Sequence, residues 1–230
     1  MKIDRRALLR AAPAAVLWAA WPSAGWALDL TQSDAAAGLR EALGRGAEAA
    51  VNSLGKADGF MANPQVHIPL PASLKKVESL MRAMGQGKKL DELELALNRA
   101  AESAVPLARP LLTNAIKSMT VDDAKKVLAG GDTSVTEFFA SKTRAPLTER
   151  FLPIVRQTTD KAALARKYND VAERAKQFGF VKDQDADVAT YVTGKALDGL
   201  FLMIGEEEKH IRQDPVGTGS KLLQKVFGAL

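Results

Sequence analysis

An all-α fold is the reading this sequence supports, and three observations carry it. Beyond Leu28, apolar residues recur at three- and four-residue intervals, as the buried stripe of a helix requires. No run alternates with period two convincingly enough to read as a sheet strand. The breaks between periodic segments fall at glycine and proline, where helices stop. With 230 residues, 47% of them hydrophobic and 26% charged, the chain can bury one sizeable core. The expectation is a single domain over residues 28–230, a bundle of about eight helices.

Taken in order, Leu39, Leu43, Ala47, Ala50 and Leu54 form the first stripe, in a helix that starts near Ser33 or Asp34 and ends near Gly55. "DGFMANPQVHIPLP" (58–71) then breaks the period. Pro64, Pro69 and Pro71 force extended backbone, and Val66, Ile68 and Leu70 alternate along it, which predicts a connector strapped across helices. A helix over about Ala72–Met84 stops at Gly85 and Gly87. The stripe Leu90, Leu93, Leu97, Ala101, Ala104, Ala108, Leu111, Ala115 predicts a long helix to Ser118, kinked or split at Pro106 and Pro110.

Thr120 and Asp123 have capping-box spacing for the next helix, which Gly130 ends; Ser134 and Glu137 repeat the start signal. Thr133, Ser134 and Thr136 are read as capping residues. A separate helix is expected near Leu147–Thr158. Another lies in "DKAALARKYNDVAERAKQFG", with Leu164, Tyr168, Val171, Ala175 and Phe178 on one face. After "VKDQDAD" a long helix runs to about Gln213 and ends before Pro215. The short "SKLLQKVFG" helix is expected to dock on the bundle, a membrane-touching face being the alternative.

The N-terminus sets the expected compartment. Lys2, Arg5, Arg6 and Arg10 precede an apolar run from Ala11 to Trp21, and Gly25 and Ala27 suit a cut before Leu28. Residues 1–27 thus read as a signal peptide, and "DRRALLR" has the look of a twin-arginine leader, with an ordinary secretory leader as the alternative. The expected location is the periplasm. Cleavage removes four of the 32 basic residues and one of the 27 acidic ones, leaving 28 against 26, a net charge of +2. That balance gives no nucleic-acid footprint. Zero cysteines exclude disulfides, thiolate metal sites, thiol nucleophiles and lipid attachment to cysteine, so no stable membrane anchor is expected.

The candidate chemistry centres on "LFLMIGEEEKHIRQDP" (200–215). At 100° per residue, Leu197, Leu200, Phe201, Ile204 and Ile211 share one face, and Glu208 falls within it. Glu206 and His210 point away, and Glu207 lies at the margin. A buried carboxylate requires a cation or donors, and Arg212, one turn on, is placed to supply them. In "NRAAESAVPLAR", Asn98, Glu102 and Arg109 share a flank beside the apolar stripe, and Arg99 sits on another face. Two readings stay open: Asn98, Arg99, Glu102, Arg109, Glu208 and Arg212 form a polar ligand-binding pocket between two long helices, or a network that only fixes packing.

Other chemistries have less support. Glu207 and His210 make one E-x-x-H spacing, but His67, the only other histidine, has no matching glutamate, so no metal and no cofactor is expected. No serine stands in a nucleophile-elbow pattern, and no catalytic residue is assigned.

The stretches "VHIPLP", "LNRAAESAVPLARP", "MTVDDAKKVLAGGDTSVTEFF" and "LDGLFLMIGEEEKHIRQDP", followed by "LLQKVFG", are together similar to the exported bacterial proteins grouped as domain-of-unknown-function family 4197. The similarity spans the whole chain after the leader. It implies a helical protein with a secretion or lipoprotein signal and no established activity. It also implies two signature sets, Asn98 to Glu102, and Glu207, Glu208, Ile211 and Arg212. Gly217 and Gly219 depart from the more basic, threonine-rich stretch of relatives. The functional expectation is a non-catalytic binding protein for an unknown small ligand or periplasmic protein. The alternatives are an enzyme using Glu208 or Glu102 as acid/base, and a lipid-binding bundle.

Overall fold

The computed structural model describes residues 32–75, 78–131, 134–161 and 188–227. The leader expected over residues 1–27, Thr133, the helix expected over 160–179 and the "VKDQDAD" segment therefore lie outside, in whole or in part. The described residues form α1 (Gln32–Leu54), α2 (Ala72–Lys75), α3 (Glu78–Ala83), α4 (Gly87–Ala104), α5 (Ala108–Lys117), α6 (Val121–Ala129), α7 (Ser134–Lys161), α8 (Val188–Gln213) and α9 (Lys221–Phe227), with a 3-10 turn at Val105–Leu107. No strand occurs among them, and the fold is all-α.

Helix α8 is the centre of the bundle, packed against α1, α4 and α7. Gly46 of α1 faces its backbone, where a Cβ would stand 3.5 Å from the Ile204 carbonyl. A Cβ at Gly199 would come within 2.9 Å of the Phe60 ring and 3.1 Å of Val66, both buried, so the missing side chain is the seat of the connector. On the neighbouring face, Thr136 donates to the Phe201 carbonyl, and Arg144 pairs with Asp198 at 2.7 Å while lying over the Phe201 ring. These contacts fasten α7 to α8.

Proline shapes the helices in two different ways. Pro106 ends α4 in the 3-10 turn, whereas Pro110 sits in the first turn of α5 and breaks nothing, because the N–H it lacks has no intrahelical acceptor there. The expected separation of a helix at Ser134 from one at Leu147 is not found. Helix α7 runs unbroken for 28 residues through Pro146 and Pro153. Its inner stripe explains this: Val135, Phe139, Thr143, Leu147, Phe151 and Val155 recur every four residues and are all buried. Each large apolar side chain contributes about 1.5–3 kcal/mol on burial, which together offset the roughly 3 kcal/mol cost of each interior proline.

Ser134 also differs from expectation. It is the first residue of α7, and its hydroxyl donates back to the Val127 carbonyl at the end of α6. The C-terminal helix docks on α1, with Leu223 fully buried and its amide capped by the Ser220 hydroxyl. No helix of the described residues is long and apolar enough to cross a membrane.

Gly44 lies in the middle of α1 and does not share the tight packing of Gly199. A Cβ there would meet nothing within 4 Å. Gly44→Ala should therefore stabilise the protein by about 0.5–1 kcal/mol through backbone entropy, read as a rise in the urea midpoint.

Candidate functional site

The connector over residues 58–71 is held by side chains of α4. Residues 58–66 are mostly turns closed by their own backbone, with Ala62 N–H donating to Asp58 and the Val66 and His67 amides to Asn63, so the extended chain expected around Pro64 is confined to residues 67–71. The amides and carbonyls left over have no neighbouring strand among the described residues and need other partners. Asn98, fully buried, supplies one full rung: Ile68 N–H donates to Oδ1 at 2.9 Å, and Nδ2 donates to the Ile68 carbonyl at 2.9 Å. The same Nδ2 reaches the Glu94 carbonyl at 2.8 Å. One turn along, Glu102 Oε1 accepts from the amides of Phe60 and Met61 at 3.0 and 3.3 Å.

The second oxygen of Glu102 is paired with Arg99 at 2.7 Å. Arg99 also holds Asp58 at 2.8 Å, where the chain turns through a left-handed residue, φ 65°. Aspartate tolerates that conformation better than most side chains. Hydrogen bonding to Glu102, and then to Asp58, raises the Arg99 pKa above its ordinary value, so the cation is permanent. His67 completes the fastening, with Nδ1 against the Met61 carbonyl at 3.0 Å and Nε2 against Glu94 at 2.7 Å. Sequence reasoning left His67 without a glutamate because Glu94 lies 27 residues away on another element. Tyr191 of α8 adds a bond from its hydroxyl to the Pro69 carbonyl at 2.9 Å.

Glu208 and Arg212 act elsewhere. Glu208 is 1% exposed and pairs with Arg212 one turn on; Glu206 and His210 are exposed and Glu207 is intermediate, as the helical projection requires. Arg212 donates onward to the Val127 carbonyl at 3.1 Å, tying α8 to the C-terminus of α6. Arg109 stands at a third place, on the surface of α5, bonded to Asn52 at 2.8 Å and paired with Glu48 of α1 at 3.2 Å. The six candidate residues thus serve three fastenings, and the structure does not bring them together around one pocket.

The cleft behind Val127 was not singled out by sequence. It lies between α6 and the first turns of α7, with a volume of about 460 Å³, and Gly130 and Gly131 form its edge. Val127 and Phe138 line it with apolar surface, and Lys126, Lys142, Asp123 and Glu137 bring both signs of charge. Ser134 and Ser141 line it too, although their hydroxyls are committed to the Val127 and Phe138 carbonyls. No group of three or more His, Asp or Glu able to hold a metal occurs among the described residues.

Asp123 is fixed here by the capping box. It accepts from the Thr120 amide and hydroxyl at 3.1 and 2.8 Å, while its own amide donates to Thr120 Oγ1. The Thr120 backbone amide, then its hydroxyl, then Lys142 lower the Asp123 pKa. Because the folded value is the lower one, the contribution is fully present above the ordinary carboxylate pKa of about 4 and is lost as pH falls through the depressed value. The gap in urea midpoint between wild type and Asp123→Asn should therefore be open at neutral pH and narrow in acid.

The motifs that form the connector, its α4 anchor and the α6–α7 cleft match a family model described as a protein of unknown function, DUF4197, over residues 29–228. The chain belongs to this family. No curated protein and no solved structure matches it. Family membership thus extends over nearly the whole chain, and the reading of function rests on geometry.

Proposed function

We propose that this chain is exported to the periplasm, is cut after Ala27, and works there as a non-catalytic binding protein whose binding surface is the α6–α7 cleft. The observation that carries this reading is the cleft itself. Its volume of about 460 Å³ is in the range of small-ligand sites, roughly 300–1,000 Å³, and it combines an apolar wall with charges of both signs. A small zwitterion or a short polar segment of a partner protein suits that lining. Arg212, held by Glu208, braces the Val127 carbonyl at the cleft wall.

Two further facts support a role without catalysis. Both oxygens of Glu102 are engaged by the connector amides and Arg99, and Glu208 is engaged by Arg212. A general acid or base must reach a substrate proton, and these carboxylates are directed at the protein's own groups. The leader residues 1–27 support export.

The test is mass spectrometry of protein recovered from the periplasm without chelator, with a photoreactive side chain at Lys126 in a parallel sample. The expected denaturing mass begins at Leu28, and the expected native spectrum or crosslink shows a species held at the cleft. An uncut leader would refute export. A folded chain with neither adduct nor crosslink would refute binding at the cleft.

A further inference from the structure

A second cavity shares no lining residue with the α6–α7 cleft and differs from it in chemistry. It is a slot of about 170 Å³ between α1 and α5. Gly44, Ala47, Leu112 and Ile116 line its apolar part, with Leu112 and Ile116 buried at 1% and 8% exposure. Arg109, Glu48 and Lys117 line it as well.

Three observations converge on what it would hold. First, the slot exists because α1 has no side chain at residue 44. A Cβ there would meet nothing within 4 Å, so helix packing does not require glycine at this position. Second, four of its eight lining residues, Gly44, Ala47, Leu112 and Ile116, are apolar and offer a hydrocarbon chain surface to cover, while Glu48, Arg109, Thr113 and Lys117 are polar. Third, the charges are unbalanced. Arg109 is neutralised by Glu48 at 3.2 Å, whereas Lys117 makes no ion pair or hydrogen bond with any described residue.

We infer that this slot binds a single-chain anionic amphiphile, an alkyl carboxylate whose apolar end lies against Gly44, Leu112 and Ile116 and whose head pairs with Lys117. The apolar lining supplies affinity by removing the chain from water, and the lone cation selects the sign of the head. Lys117 is a specificity residue in this arrangement, and Gly44 is the residue that leaves room for the chain.

The probe is octanoate, titrated into the purified mature chain and followed by methyl NMR of Leu112 and Ile116, with octylammonium as the partner of equal chain length. Octanoate should shift both methyl sets in a saturable way and octylammonium should bind at least about tenfold more weakly. Lys117→Gln should remove that preference, and Gly44→Leu, which fills the slot, should abolish binding while the melting curve stays cooperative. If Gly44→Leu does not fold, Gly44→Ala replaces it, and octanoate affinity should then fall while stability rises. Equal binding of the two probes, or octanoate binding untouched by filling residue 44, would overturn the proposal. So would the lack of any octanoate-dependent shift, which would leave the slot to an apolar side chain of a protein partner.

Discussion

Replacing Glu208 by alanine should destabilise the protein by about 3–5 kcal/mol, the cost of removing one partner from a buried ion pair. The carboxylate is 1% exposed and Arg212 only 20%, so the guanidinium left behind has little water to turn to. The loss should also reach the cleft, because Arg212 braces the Val127 carbonyl there. Glu208→Gln keeps an acceptor for Arg212 and should cost less. The double variant Glu208→Leu, Arg212→Leu should lose less than the sum of its single changes, since neither buried charge then remains alone. Urea denaturation of the four proteins measures this cycle. Additive effects would mean that the pair is not coupled.

Asn98→Ala should cost about 2–4 kcal/mol, equivalent to a fall of roughly 5–12 °C in Tm for a chain of this size. The residue is fully buried, and its amide satisfies both backbone groups of Ile68. Removing it strands a donor and an acceptor away from water. Asn98→Asp is the sharper test. A carboxylate can still accept from the Ile68 amide but cannot donate to the Ile68 and Glu94 carbonyls, which it would then face with negative charge. It should be at least as damaging as alanine, despite its near-identical shape. An aspartate variant as stable as wild type would show that the Asn98 bridge does not hold the connector.

Much of this was legible in the sequence, and the failures have physical causes. The division of the glutamate triplet followed from 100° per residue alone, because α8 is one helix over 26 residues with a continuous buried stripe. Arg109 was grouped with Asn98 and Glu102 by carrying that period through Pro106. The 3-10 turn at Val105–Leu107 advances about 120° per residue, so three residues rotate the following face by roughly 60° and place Arg109 on the surface. Asn98 and Glu102 were visible as polar residues beside an apolar stripe. Their partners were not, because Ile68, Phe60 and Met61 are engaged through main-chain groups, which every residue carries. The separate helix expected near Leu147–Thr158 is instead the second half of α7, whose buried stripe carries the helix through Pro146 and Pro153, a case of tertiary packing outweighing local preference.

The same distinction separates structure from function in this fold. Residues 98–102 resemble a site by composition, yet their hydrogen bonds go to the connector's backbone, to Asp58 and to one another, whereas the α6–α7 cleft and the slot at Gly44 are open concave surfaces. The measurement that tests this most directly is native-state hydrogen exchange at the amides of Phe60, Met61 and Ile68. With Glu102 and Asn98 as their acceptors, these three amides should exchange with the slow, globally protected core and far more slowly than the exposed turn residues Lys56 and Ala57. Exchange at the rate of those turn residues would mean that the connector is not fastened to α4, and that Asn98, Arg99 and Glu102 are available for another role.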